Sequence, residues 1–130
     1  MRREPIFSTK APKPKGIYSP AILAEGSYVF VSGQVPVNPM TNEMVLGDFK
    51  NQAELTLSNV GLLLEAAGTS WEHVVKVNVY LTDPKDFAAM NEIYAKFFKE
   101  PYPARTTVGA AMVAKGVLIE VDCIALVPGK

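Results

Sequence analysis

Residues 117–127 read Val-Leu-Ile-Glu-Val-Asp-Cys-Ile-Ala-Leu-Val, and this stretch decides the class of fold. In an extended strand, successive side chains point to opposite faces of the sheet. Val117, Ile119, Val121, Cys123, Ala125 and Val127 therefore share one face, and Leu118, Glu120, Asp122, Ile124 and Leu126 share the other. Both faces are mostly apolar, so both need cover.

Upstream, two segments carry helical spacing. Ala53, Leu57, Val60, Leu64 and Ala67 trace one face of a 3.6-residue helix, with Asp48 placed to cap its start and Gly68 its end. A second helix is expected to open with Asp83 as cap and Pro84 in its first turn. It continues through Phe87, Met90, Tyr94 and Phe97 until Pro101 and Pro103 stop it. Strands are predicted at 28–32, entered through Glu25-Gly26-Ser27, and at 22–24, which is expected to pair with it as a hairpin. Val74–Leu81 is another strand, and 106–113 and 117–127 form a last pair joined at Ala114-Lys115-Gly116. The order predicts a single domain over 1–130 of the α+β (α/β-like) class, a mixed sheet with two helices on one face. Two helices cover one side only. The Leu118, Ile124 and Leu126 side is therefore expected to meet another copy of the chain, the rival being a twisted sheet that closes partly on itself.

Composition narrows the function. With 13 basic and 13 acidic residues the chain carries no net field to attract a phosphate backbone, and no apolar run is long enough to span a bilayer. Membrane and nucleic-acid partners are not expected. One cysteine, Cys123, and one histidine, His73, allow neither a disulfide nor a Cys/His zinc site, and His73 reads as a surface or strand-entry residue. No nucleotide-binding, serine-hydrolase or zinc-protease motif occurs. The first residues are basic, but Pro5, Pro12 and Pro14 oppose the amphipathic helix of a mitochondrial leader; a cytoplasmic protein is the expectation and a mitochondrial form the alternative.

Two residues ask for a chemical reading. Glu120 sits among branched aliphatics, where a carboxylate must be paired, hydrated or protonated; it is either a proton-handling group or part of a solvated channel or edge. Arg105 stands where the stiff Pro101-Tyr102-Pro103-Ala104 connection enters a strand. Its planar guanidinium can grip a carboxylate through two parallel hydrogen bonds, aided by Thr106 or Thr107, or it can simply be solvated. Tyr18-Ser19 and Ser32-Gly33-Gln34 punctuate strand ends; the glycine suits close approach of a ligand but equally suits a turn.

These segments, in order, resemble the RidA (YjgF, reactive intermediate deaminase) family over nearly the whole length. The stretches that carry the resemblance are Gly16-Ile17-Tyr18-Ser19, Phe30-Val31-Ser32-Gly33-Gln34-Val35-Pro36, Val74-Val75-Lys76-Val77, Asn91-Glu92-Ile93-Tyr94, Pro103-Ala104-Arg105 and Ile119-Glu120-Val121. The resemblance implies a chorismate mutase-like fold and a homotrimer with sites between subunits. It implies hydrolysis of enamine or imine acids such as 2-aminoacrylate to 2-oxo acids and ammonia, with no cofactor and no metal. Arg105 would bind the substrate carboxylate and Glu120 would direct water, while Tyr18, Ser32, Gly33, Asn91 and Thr107 line the site. Thr106-Thr107, Pro20 and Val113-Ala114-Lys115 depart from the common family pattern and bear on substrate preference. The alternatives are a non-catalytic trimer that senses 2-oxo acids, an endoribonuclease or translation inhibitor, and a chaperone-like holder.

Overall fold

The computed structural model describes residues 1–129. Its centre is a four-stranded sheet of β3 (Tyr28–Gln34), β8 (Ile119–Leu126), β6 (Val74–Leu81) and β7 (Ala104–Gly109), in that spatial order. β8 runs antiparallel to both neighbours, and β6 and β7 are parallel. The sheet is therefore mixed, and β8, one of its two inner strands, is the one with two apolar faces. Two helices lie on one side, α1 (Phe49–Ala66) over β8 and β3, and α2 (Phe87–Tyr94) in the crossover from β6 to β7. Ala53, Leu57, Val60 and Leu64 of α1 are buried against Val77, Val79, Val121, Cys123 and Ala125. Asp48 caps α1 by accepting from the Asn51 N–H at 2.8 Å. Gly68 ends it at φ 84°, in the left-handed region that glycine adopts without penalty.

Three sequence expectations are corrected. The 22–24 segment does not pair with the strand after it: β2 (Ala21–Glu25) pairs antiparallel with β1 (Arg2–Ile6), which the sequence reading missed. Gly26, at φ 146°, turns the chain out of the sheet, and Ser27 instead prolongs the β3–β8 ladder by accepting from the Val127 N–H at 2.9 Å. The last two strands are not a hairpin either. β7 ends at Gly109, and β6 lies between it and β8. The strand ends flank β6, with Ala110 N–H donating to the Leu81 carbonyl and Thr82 N–H to that of Leu118. Central placement gives β8 cover on its helix-side face along its whole length, which a hairpin at the sheet edge would not. Finally, Asp83 and Pro84 open a 3-10 turn, Pro84–Asp86, ahead of the α-helix, which ends before Phe97. A short ribbon of β4 (Val37–Asn38) and β5 (Glu43–Met44) completes the strands.

The other side of the sheet carries no helix. Phe30 is 72% exposed there, beside partly exposed Tyr28, Val108 and Ile124.

Candidate active site

Arg105 pairs across the ladder with Val77, a fully buried residue on the helix side, so its guanidinium is directed beneath α2. Phe87, Asn91 and Tyr94 are spaced four and three apart, which puts them on the helix face that meets it. Arg105 Nη1 donates to Asn91 Oδ1 at 2.8 Å. Its Cζ lies 4.8 Å from the Tyr94 ring centre, 5.7 Å from Phe87 and 5.9 Å from Tyr18. Ring faces at these distances attract a cation. Tyr18 is held in place by its neighbour: buried Ser19 donates through Oγ to the Tyr102 carbonyl and through N–H to the Pro103 carbonyl, and bridges Ala104. The Tyr-Ser and Pro-Ala-Arg stretches are thus two sides of one junction.

Burial lowers the Arg105 pKa, opposed by the neighbouring Tyr94 and Tyr18, yet a guanidinium stays charged in a protein. None of the ion pairs among the described residues involves it. A half-buried cation is left with one neutral acceptor. Thr107 follows on the same face of β7, and among the described residues its buried Oγ1 has no partner; neither has the Tyr94 hydroxyl, whose pKa burial pushes up.

Glu120 lies elsewhere. It pairs with Tyr80, three residues beyond the Val77 that faces Arg105, so the odd offset puts Glu120 on the opposite, helix-free face. Ser32 and Gly33 accompany it, and a Cβ added at Gly33 would stand 2.9 Å from Glu120 Cδ. The second acid on this face is engaged: Asp122 accepts from Asn78 Nδ2 at 2.9 Å and from the Tyr80 hydroxyl at 2.8 Å. That bond is the main cause of the raised Tyr80 pKa. Among the described residues Glu120 takes part in no side-chain hydrogen bond or ion pair.

Tyr18, Asn91, Arg105 and Thr107 are therefore assembled on one face, and Ser32, Gly33 and Glu120 on the other, with the sheet backbone between them. Sequence reading missed Phe87 and Tyr94 as neighbours of Arg105, because their helical spacing reads equally well as core. His73 lies in the turn Trp71–His73, 3.8 Å from Glu72, and Cys123 is a buried thiol whose pKa burial lifts to about 12.

The endoribonuclease L-PSP family model matches residues 8–127, a span that holds every residue of both groups. The chain belongs to this family, the RidA (YjgF) family. Among its RidA-type relatives, a RutC family protein from Pyrococcus horikoshii is 50% identical over 123 residues, covering 95% of this chain and 97% of its own. A human protein named 2-iminobutanoate/2-iminopropanoate deaminase is 38% identical over 124 residues, covering 95% and 90%. The crystal structure of RidA from an Antarctic Psychrobacter shares the fold with a TM-score of 0.73 at 43% identity, over 95% of this chain and 99% of that one.

Proposed function

We propose that this protein is a homotrimeric deaminase that hydrolyses imine acids, in equilibrium with their enamines, to 2-oxo acids and ammonia. The observation that carries the reading is Arg105, a half-buried guanidinium caged by three rings and lacking any carboxylate partner among the described residues. Such a cation is costly unless an anion completes it. A small carboxylate fits; the equal numbers of basic and acidic residues give no comparable reason to expect an RNA backbone. Relatives near 40% identity with deaminase names support the same choice.

In this reading Glu120 comes from a neighbouring copy, whose helix-free face packs beside the α2 side of the first. Arg105 holds the carboxylate and thereby fixes the C2 carbon. Water adds to C2 as its proton passes to Glu120, and the proton is returned to the former imine nitrogen. The new hydroxyl then gives up its proton, relayed through Glu120 to the nitrogen, as the C–N bond breaks, releasing ammonia and leaving the 2-oxo acid. Most of the rate comes from orientation and proton transfer.

The test is ammonia release from 2-aminoacrylate generated in place from serine by a dehydratase. Wild-type protein should accelerate it, and Glu120→Gln should lose roughly a hundredfold or more, the scale of general acid–base catalysis. Binding of 2-oxobutanoate, followed by calorimetry, should survive the substitution. No acceleration by wild type would leave binding without turnover as the function.

A further inference from the structure

The ladder between β3 and β8 slips at one place. Val31 pairs with Cys123 but Gln34 pairs with Val121, so Ser32 and Gly33 together oppose the single residue Asp122. A bulge of this kind breaks the alternation of side chains and re-aims the residues it contains. Val31 and Gln34 lie in register with helix-side residues, which leaves Ser32 and Gly33 both to the helix-free face. Glu120 uses the room this creates. A Cβ built on Gly33 would meet Oε2, Cδ and Cγ of Glu120, the last two at 2.9 and 3.2 Å, so the carboxylate would have to shift. The carboxylate therefore lies directly on the Gly33 backbone, while the neighbouring acid, Asp122, is held away by Asn78 and Tyr80.

We propose that Gly33 is a positioning residue for Glu120, not a substrate contact: the glycine in the bulge is the cradle that aims the carboxylate. The proposal rests on the deaminase reading for its consequence in turnover, but its geometry stands apart from it. What a Cβ would strike is the end of a flexible side chain, so Gly33→Ala should fold and assemble normally with Glu120 turned aside. The Arg105 that shares the site belongs to the next copy and is held by its own Asn91, Tyr18, Phe87 and Tyr94, so carboxylate binding should survive.

Turnover of wild type, Gly33→Ala, Glu120→Gln and the double variant tests this, with 2-oxobutanoate affinity measured on each. Gly33→Ala should lower kcat by about tenfold or more, since misaiming one group forfeits orientation. Product affinity should stay within about twofold, and in the Glu120→Gln background the same substitution should change turnover by no more than about twofold, because coupled groups are not additive. An equal loss in both backgrounds, or lost affinity with kcat kept, would overturn the proposal and make Gly33 a substrate contact. Full turnover in Glu120→Gln, or none in wild type, would sink the deaminase reading alone. A crystal structure of Gly33→Ala then decides the positioning claim without any activity. A carboxylate moved off residue 33 supports it, and an unmoved one accommodated by a shift of the 32–33 backbone refutes it.

Discussion

A buried hydroxyl with no partner is a cost in the free protein, and among the described residues Thr107 carries one, two residues along β7 from Arg105 and on the same face. Leaving a buried polar group unsatisfied costs about 1–3 kcal/mol, so the group makes sense where a ligand completes it. Thr107→Val keeps the shape and removes the hydroxyl. Thermal unfolding should show unchanged or higher stability, because no protein hydrogen bond is lost. If the hydroxyl meets the substrate carboxylate, 2-oxobutanoate affinity should fall roughly fivefold, the worth of one ordinary hydrogen bond. Lower stability with intact affinity would assign Thr107 to the fold instead. Cys123 shows the opposite logic. Burial lifts its thiol to about 12, so at neutral pH it is a small hydrophobe without nucleophilic character.

At the scale of elements, the junction between residues 18–19 and 102–105 does the positioning. Ser19, 3% exposed, joins the two segments by side-chain and backbone hydrogen bonds. Ser19→Ala should cost about 1–3 kcal/mol in urea unfolding by leaving the Tyr102 carbonyl short of a donor, and should lower kcat/KM by loosening Tyr18 over Arg105. An effect below that of the exposed Lys96–Glu54 pair, about 0–1 kcal/mol, would show the junction to be slack. Much of this architecture was legible in the chain. The 3.6-residue spacing marks α1, and the two-residue alternation of β8 correctly assigns Glu120 to the face without helices. Neighbours were not legible, because periodicity identifies a strand and its faces but not its partners. Hence the pattern alone suggests β2 beside β3, and β7 beside β8. The bulge at Ser32–Gly33 hid for the same reason: a glycine after a strand reads as a turn, and only the register against Cys123 and Val121 shows it to be a break in a ladder. Arg105 and Glu120 stood out as residues, but their separation by the sheet needs the pairings of both through β6.

At the scale of the whole molecule, that separation makes the proposed oligomer testable by mixing. One chain cannot bring Arg105 and Glu120 to the same small substrate, because the backbone of the sheet lies between them, and the exposed Phe30 marks the face still needing cover. In a closed ring each site would take Arg105 from one copy and Glu120 from the next. Arg105→Lys alone should lose about a hundredfold or more, since an ammonium lacks the planar fork, and Glu120→Gln alone should lose as much. Unfolding the two variants together and refolding them at equal concentrations gives random trimers. A site is intact when its arginine comes from a Glu120→Gln chain and its glutamate from an Arg105→Lys chain, each with even odds, so about a quarter of the sites recover. The mixture should therefore show about a quarter of wild-type turnover, far above either parent, and light scattering should give three chain masses throughout. Recovery fails if both residues act within one chain, because every site then carries one of the two substitutions. A mixture no better than its parents, with subunit exchange verified by mass, would refute the shared site and leave the caged arginine as a binding site without a catalytic partner.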